Sequence, residues 1–404
     1  MLSLIPFHGM RKWANGWLFE KNRGIKEFTM NYVNKYLRNL KPYKLASHAI
    51  WTASAEDRKK ILKLDWNEAT IPPSPKVRER LRKKINEADF FNIYPSTCNV
   101  ELLQRLSDYT GLPVENIQYF ASSDSIHEYV AKLFISVGDP VLLVGPTYDN
   151  FRLTAEVCGA RVFYYNIDND FNFDIDGFYA QLKKIKPSMV YICNPNNPTG
   201  TMHTVQFLEE TIKKFDDTLF LVDEAYAEFS GVSAKELVLD NENIIISRTM
   251  SKAFALANFR IGYMLASKSN IDYISNIRNP KNISTLTQEA AIGALNDLEY
   301  MRAFVEEVRR AKESFSASLK KWDGYLSFAK GEGNFLLILT KQDGMKEKLF
   351  EYFKERGIYV RDVAQTEYLR KYGLRITIGT REQMRFVSDV IDQFFESWQR
   401  AEAH

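Results

Sequence analysis

Short apolar runs separated by amphipathic stretches dominate the middle of the chain. Stretches with helical spacing lie between several of these runs, for example Val205–Phe215. Buried strands that alternate with helices are typical of a mostly parallel sheet covered on both faces, so the pattern predicts an α/β domain. The runs that have the length and composition of buried strands are Val141–Val144, Val162–Asn166, Met189–Cys193, Leu219–Val222, Ile244–Ser247 and Ile261–Ala266.

Helix and strand patterns continue on both sides of this region. The start signal Ser74-Pro75 predicts a helix over Ser74–Glu87, and Val100–Thr110 predicts another. A long helix is expected over Thr287–Trp322, with a break near Asn296. The C-terminal part predicts a smaller α+β unit, whose elements are Phe335–Leu339, Lys346–Arg356, Ile358–Arg361, Leu374–Ile378 and Arg381–Trp398.

Length and composition narrow the class of protein. The chain has 404 residues, of which 45% are hydrophobic and 26% are charged, as in a globular enzyme. Because single cores stop growing beyond about 250–300 residues, two or more domains are expected. The net charge of +3 is too small to favour binding to nucleic acid or to a membrane.

The cysteines and the apolar runs give an expectation about location. The three cysteines, Cys98, Cys158 and Cys193, have no metal-ligand spacing, which argues against a disulfide scaffold and a zinc site. The N-terminus lacks the apolar core of a signal peptide, and no apolar run reaches the roughly 18 residues of a membrane span. We therefore expect a cytoplasmic protein in a reducing compartment that binds no metal.

Lys252 lies in a turn that follows the predicted strand Ile244–Ser247. A lysine that forms a Schiff base must be partly dehydrated and near a cation, so that its amine is neutral often enough to attack a carbonyl. Arg260, eight residues further on, can pair with a phosphate. Taken alone, the pair Ser251-Lys252 is more often part of a surface loop.

Three further stretches supply matching polar groups. Asn197 lies in the rigid Asn194–Gly200 turn and can donate to a phenolate oxygen. Asp223 ends an apolar strand and, if buried, needs a partner such as a protonated pyridine nitrogen. Ser122–Ser125 precedes a helix expected to begin near Ile126 and offers backbone N–H groups to a phosphate. Each has an ordinary alternative as a turn or helix cap, but together they suit one ligand at one sheet edge.

On these motifs, the chain from about Leu37 onward resembles the fold-type-I pyridoxal-phosphate enzymes of aminotransferase class I/II, most of all the histidinol-phosphate aminotransferases. The resemblance implies a mostly parallel seven-stranded sheet sandwiched by helices, plus a smaller α+β domain. It extends to the stretch Arg38–Tyr43. The implied domains are an N-terminal extension (residues 1–30), an N-terminal part of the small domain (31–66), a large cofactor-binding domain (67–285), and an interdomain helix with the C-terminal small domain (286–404).

The resemblance also implies which residues hold pyridoxal 5′-phosphate. Lys252 matches the Schiff-base lysine and Asp223 the acid at the pyridine nitrogen, and both are catalytic together with Tyr226. Asn197 and Tyr226 match the donors to the phenolate oxygen, and Tyr148 matches the aromatic that stacks on the ring. The remaining cofactor positions are those that match phosphate-binding residues of the family: Ser123, Asp124, Thr249, Ser251, Arg260 and, reaching the neighbouring subunit, Tyr94. The match of Tyr94 implies a homodimer with shared active sites.

The substrate side carries over in the same way. Arg375 matches the arginine that binds a substrate carboxylate, and Arg361 matches one associated with phosphate-bearing substrates. Asn334 and Asn67 match further substrate-binding positions of the histidinol-phosphate branch. The chain departs from the family at Ser122–Ser125, at Ala69-Thr70, where the branch has Asn-Pro, and at Asn258-Phe259, where the family has Gly-Leu.

We therefore expect an aminotransferase that moves an amino group between a donor such as glutamate and a small, phosphorylated partner. A decarboxylase of a phosphorylated amino acid is the nearest alternative, because the same lysine and acid serve both reactions. An alternative of another class is a non-catalytic protein that keeps the fold, although both Lys252 and Asp223 are present. His48, His127 and His203 have no ligand spacing and are expected to be structural or at the surface.

Overall fold

The computed structural model of the protein describes residues 34, 37 and 40 and residues 49–402. The chain divides into two units, Met1–Asn39 and Leu40–His404. The predicted extension over residues 1–30 lies outside the described residues, as does the matched stretch Arg38–Tyr43 except for Leu40. The predicted domain boundaries stay a prediction.

Two sheets organise the second unit. A seven-stranded sheet has the order β2-β8-β7-β6-β5-β3-β4, and a five-stranded sheet has the order β1-β11-β12-β10-β9, with strands numbered along the chain. The strands are β1 (Leu62–Leu64), β2 (Ile117–Phe120), β3 (Pro140–Gly145), β4 (Arg161–Asn166), β5 (Met189–Cys193), β6 (Leu219–Asp223), β7 (Ile244–Thr249), β8 (Gly262–Ala266), β9 (Leu326–Phe328), β10 (Phe335–Thr340), β11 (Ile358–Asp362) and β12 (Gly373–Thr377).

The larger sheet is mostly parallel, as predicted. Strands β3 to β7 pair in parallel, whereas β8 runs antiparallel to both β7 and β2. The connection from β7 to β8 contains no α-helix, as is usual between antiparallel neighbours. The Lys252 turn lies in this connection.

Helices cover both faces of this sheet. Alternate residues along each strand enter different apolar cores, so that Leu142 and Val190 lie in one core and Leu143 and Tyr191 in the other. The helices are Ala49–Thr52, Ala55–Arg58, Pro75–Ile85, Val100–Thr110, Ser123–Phe134, Asn150–Val157, Ile175–Ile185, Val205–Lys214, Ala227–Ser230, Lys268–Ile277, Thr285–Leu295, Leu298–Leu319, Met345–Glu355, Glu367–Tyr372 and Arg381–Glu402.

The smaller sheet brings an N-terminal strand to the C-terminal part of the chain. Strand β1 pairs in parallel with β11, whereas β12 pairs antiparallel with both β10 and β11. The helices Leu298–Leu319 and Arg381–Glu402 share an apolar core with this sheet. Pairing with β11 places the residues that follow β1 beside β12.

Most predicted elements are confirmed within a few residues, including Val100–Thr110 and the break near Asn296. The helix expected to begin near Ile126 begins instead at Ser123, because the Ser122 hydroxyl caps the backbone N–H of Ser125. Within residues 49–402, no helix is both long and apolar enough to span a lipid bilayer.

Candidate active site

A cavity of about 710 Å³ opens where the carboxyl ends of β5, β6 and β7 face the smaller sheet. This edge of a parallel sheet is where α/β proteins bind ligands. The cavity brings together most of the residues singled out in the sequence: Asn67, Ser123, Asp124, Tyr148, Asn197, Asp223, Tyr226, Thr249, Ser251, Lys252, Arg260, Arg361 and Arg375.

Two predicted site residues are not part of this lining. Asn334 is fully buried behind the wall, where its Nδ2 donates to the carbonyl oxygen of Asn67 at 3.0 Å. Tyr94 is 76% exposed, with its ring centroid 5.0 Å from the Lys281 ammonium. Its predicted contact with a neighbouring subunit stays a prediction.

Lys252 presents its amine to the cavity. The Nζ donates to the carbonyl oxygen of Trp66 at 2.8 Å. Burial, and secondly the charge of Arg375, lower the pKa of Lys252 to about 8, while Glu68 and Asp124 oppose this shift. A lowered pKa leaves more of the amine neutral near physiological pH, which is the form that attacks a carbonyl.

Asp223 is buried at the end of β6 and is held by hydroxyl groups. Its Oδ2 accepts from the Tyr191 hydroxyl at 2.9 Å, and its Oδ1 accepts from Ser247 at 3.2 Å and from the Ala225 backbone N–H at 3.2 Å. These donors compensate the carboxylate for the loss of water.

His127 is a neighbour of this carboxylate that the sequence analysis missed. It is fully buried, with Nε2 2.9 Å from the Ser247 hydroxyl and 3.9 Å from Oδ2 of Asp223. It was expected to be structural or at the surface. Its position four residues after Ser123 on one helix, and so on the same helical face, is the signal that could have found it.

Tyr226 connects the two sheets through its hydroxyl. The oxygen accepts from Nδ2 of Asn67 at 3.0 Å and from Nδ2 of Asn197 at 3.3 Å. Burial raises the pKa of Tyr226 strongly, and Arg375 opposes this. Arg375 in turn donates to Oδ1 of Asn197 at 2.5 Å and to the Asp65 carbonyl at 2.7 Å.

The start of the helix Ser123–Phe134 forms the other end of the cavity. The hydroxyls of Thr249 and Ser251 lie 3.0 Å apart there, and Arg260 reaches to 3.6 Å from the Asp124 carboxylate. A Cβ at Gly262 would lie 2.7 Å from the Ser123 backbone nitrogen, so only glycine lets β8 lie this close to the helix start. Backbone N–H groups, hydroxyls and a guanidinium are together a donor set for a phosphate.

Tyr148 is hydrogen-bonded to Asp124, the acidic residue at this helix start. The Tyr148 hydroxyl and Nδ2 of Asn150 each donate to Oδ1 of Asp124 at 3.1 Å. The Asp124 side chain is thus tied to the aromatic residue that was predicted to stack on the ligand.

The end of the cavity nearest the smaller sheet is cationic. Arg361 and Arg375 lie directly opposite each other on the antiparallel strands β11 and β12, so their side chains leave the same face. Lys63 also lines the cavity, 2.9 Å from Asp65 and in contact with Glu68. Sequence analysis missed Lys63 because it did not predict the short strand β1.

The polar groups around the cavity fit pyridoxal 5′-phosphate group by group. A part-buried amine can meet the aldehyde, a buried carboxylate the ring nitrogen, and the Tyr226 and Asn197 pair the phenolate oxygen. The helix start with Arg260 can hold the phosphate.

Comparison with known proteins agrees with this chemistry. The model of the aminotransferase class I and II family matches residues 59–391. A dihydroxyacetone phosphate transaminase of Campylobacter jejuni is 40% identical over 90% of this chain and 97% of that protein. A histidinol-phosphate aminotransferase of Ruminiclostridium cellulolyticum is 33% identical over 81% of this chain and 91% of that protein. The crystal structure of the Sinorhizobium meliloti histidinol-phosphate aminotransferase with pyridoxal-5′-phosphate has the same fold, with a TM-score of 0.79 at 22% identity over 93% of this chain and 99% of that one.

Proposed function

This chain belongs to the class I and II aminotransferase family, and we propose that it exchanges an amino group between a donor such as glutamate and a small phosphorylated ketone. Pyridoxal 5′-phosphate is its cofactor and, when bound, supplies an electrophilic carbonyl and a ring that withdraws electrons from the reacting carbon. The observation that carries the proposal is the shared cavity of Lys252, Asp223 and the two arginines opposite each other.

In this proposal, the catalytic work falls to a few side chains. The Lys252 amine would bind the cofactor and, once displaced by the substrate amine, would take the proton from the substrate Cα and deliver it to the cofactor carbon that carried the aldehyde. Asp223 holds a proton on the ring nitrogen. Tyr226 and Asn197 donate to the phenolate oxygen, and Tyr148 stacks on the ring.

The remaining cofactor contacts in the proposal hold and cover the phosphate. Ser123, Thr249, Ser251 and Arg260 offer hydroxyl, N–H and guanidinium donors at the end of the cavity away from the smaller sheet. Asp124 would orient Tyr148, because its Oδ1 accepts from that hydroxyl, and would also position Arg260, which lies 3.6 Å from its Oδ2. These groups would anchor the ligand by its phosphate and leave its reacting carbon near Lys252.

The pair Arg361 and Arg375 supports a phosphorylated substrate. Two guanidinium groups on one face of neighbouring strands present several N–H donors, which suit a phosphate dianion. Arg375 alone suits the carboxylate of glutamate. The 40% identity to a dihydroxyacetone phosphate transaminase favours a three-carbon phosphorylated ketone, and the departure at Ala69-Thr70 weakens the assignment to histidinol phosphate itself.

We also propose that the enzyme is a cytoplasmic homodimer with shared active sites. Phe91, Ile93 and Tyr94 are all exposed, and such a run of large apolar side chains is typical of a protein interface. In the dimer, Tyr94 would reach the cofactor phosphate held by the other subunit. Sedimentation of the Tyr94→Glu variant tests the interface, and an unchanged dimer with full cofactor affinity would contradict the role of Tyr94.

The test of the function is an absorption spectrum of the cofactor-loaded enzyme with one amine at a time and no acceptor. The amines are glutamate, histidinol phosphate, O-phosphoserine, serinol phosphate and, as the matched control without phosphate, serinol. We expect glutamate and serinol phosphate to convert the band of the lysine-bound cofactor into that of its amine form. Serinol is expected to react at least about 10-fold more slowly if the arginines bind the phosphate.

The alternatives give different results in the same experiment. Release of carbon dioxide from O-phosphoserine, with the original band returning after each turnover, would make the enzyme a decarboxylase. Cofactor binding without reaction of any amine would support a non-catalytic protein. Lys252→Ala is expected to abolish transamination, because the cofactor anchor and the proton carrier are both lost; near-normal turnover would disprove its assignment.

A further inference from the structure

We propose that Asn67 is a positioning residue for Tyr226: by donating to the Tyr226 oxygen, it directs the Tyr226 hydroxyl proton into the cavity, toward the phenolate oxygen of the cofactor. The sequence resemblance implied a substrate-binding role for Asn67, whereas its side chain here contacts Tyr226 and Thr377. The inference rests on the proposed function for the identity of the group that receives the proton.

The neighbouring residues fix the orientation of the Asn67 amide. The Asn67 backbone N–H donates to the Thr377 hydroxyl oxygen at 3.0 Å, and that hydroxyl lies 3.1 Å from Oδ1 of Asn67. Since the backbone group is always a donor, the Thr377 oxygen accepts there and its proton is available to Oδ1. The other side of the amide, Nδ2, therefore faces the Tyr226 oxygen, 3.0 Å away.

The orientation of Asn197 follows from a charged partner. Arg375 has only donors, so the atom of Asn197 that it contacts at 2.5 Å is Oδ1. This leaves Nδ2 of Asn197 facing the Tyr226 oxygen at 3.3 Å.

Two amide donors on one phenolic oxygen decide where its proton goes. Neither Nδ2 can accept a hydrogen bond, so the Tyr226 proton cannot be directed at Asn67 or Asn197. The Tyr226 side chain is buried but lines the cavity, so a ligand bound there can accept its proton. Donation by the amides also polarises the hydroxyl and strengthens its own hydrogen bond.

The backbone of Asn67 shows that this position is held firmly. Its φ is 55°, in the left-handed region that asparagine and glycine adopt most readily. The Asn334 amide holds its carbonyl oxygen, and Thr377 of β12 holds its N–H. Asn67→Gly therefore removes the side-chain amide while keeping a residue that suits this backbone conformation.

The test is a pH titration of the cofactor absorbance in the loaded enzyme, without substrate. A hydrogen bond to the phenolate oxygen stabilises its negative charge and lowers the pKa of the nitrogen that shares the proton with it. Tyr226→Phe should raise this spectroscopic pKa, and Asn67→Gly should raise it by a smaller amount, about 0.3–0.6 pH unit, because it weakens the bond without removing it.

The double variant decides between positioning and a general effect. In the Tyr226→Phe background, Asn67→Gly should cause no further shift, because no hydroxyl remains to be directed. An equal shift in both backgrounds, or no shift in either, would overturn the proposal. Asn116→Gly is the matched control, since it removes another buried amide whose Nδ2 donates to the Ala266 carbonyl away from the cavity, and it should leave the titration unchanged.

A second variant keeps the test decisive if Asn67→Gly folds poorly. Asn67→Asp retains the size and the contact with Thr377 but faces Tyr226 with an acceptor, which would draw the hydroxyl proton away from the cofactor. Asn67→Asp should raise the spectroscopic pKa more than Asn67→Gly does. In the Tyr226→Phe background this additional rise should be smaller, because only the added charge contributes to it and no hydroxyl proton can be drawn away. The titration needs no turnover, so its failure is distinct from failure of the substrate assay.

Discussion

The lowered pKa of Lys252 makes a prediction about the stability of the cofactor-free enzyme. Burial lowers this pKa from 10.5 to about 8, so keeping the protonated amine in the folded state costs at most ~3 kcal/mol at pH 7. Lys252→Met keeps the apolar length of the side chain and removes the charge, but it leaves the Trp66 carbonyl without its donor, a loss of about 1 kcal/mol. We expect the variant to be more stable than the wild type at pH 7, by about 2 kcal/mol.

The difference in stability between the wild type and Lys252→Met should depend on pH. Because the folded-state pKa is below the unfolded value, the unfolded wild type binds more protons between about pH 8 and pH 10.5, and its stability rises with pH in that window. The variant lacks this contribution. The difference in unfolding free energy between the two proteins should therefore shrink by about 2 kcal/mol between pH 7 and about pH 9.5.

Urea unfolding of the two cofactor-free proteins, followed by circular dichroism at both pH values, measures this difference. Lys132→Met serves as the control, since Lys132 lies at the surface, where its ammonium contacts Glu128 and the Tyr129 ring. A difference between wild type and Lys252→Met that stays constant with pH would refute the reasoning, because it would mean that the lysine is solvated as in the unfolded chain.

The remaining predictions concern four other positions. Ser122 has φ 125° and ψ 168°, a region that is almost restricted to glycine. Ser122→Gly relieves this backbone strain but loses the helix cap and adds flexibility to the unfolded chain, so the unfolding free energy measured with urea should rise by about 1 kcal/mol. Arg248→Met leaves the buried Glu224 carboxylate without its ion-pair partner and should lower the unfolding free energy by about 3–5 kcal/mol in the same assay. Asp223→Ala should lower kcat by about 100-fold or more while the thermal unfolding transition persists. Arg361→Ala should raise KM for serinol phosphate about 10-fold and leave that for glutamate nearly unchanged, and an equal rise for both would contradict its role at the phosphate.

The strands that carry the site could be predicted because each is a continuous apolar run. Met189–Cys193 is found as predicted, and β6 and β7 are extended only by Asp223 and by Arg248 and Thr249, polar residues that the pattern could not assign to a buried strand. Asp223 directly follows the apolar run Leu219–Val222, and Lys252 lies in the turn that follows Ile244–Ser247, so these runs also located both residues.

Elements that exist only through distant pairing could not be predicted. Strand β1 has three residues with a lysine at its centre, and it becomes a strand because it pairs with β11 from the far end of the chain. Without β1, the sequence could not show that Lys63 lines the cavity or that Asn67 lies beside β12. Likewise, β2 has four residues and is defined by its antiparallel partner β8.

A resemblance assigns residues to a ligand one at a time, whereas the structure shows that several of them hold one another. Arg375 donates to Asn197, both amides donate to Tyr226, and Thr377 fixes Asn67, so one series of hydrogen bonds joins Arg375, the proposed substrate arginine, to Tyr226, the proposed cofactor tyrosine. We expect an anion that binds Arg375 to compete with Asn197 for the guanidinium and so to weaken the orientation of the Asn197 amide toward the Tyr226 oxygen. Because Asn67 is held from β12 and by Asn334, independently of Asn197, we expect its donation to Tyr226 to persist when Asn197 is disturbed.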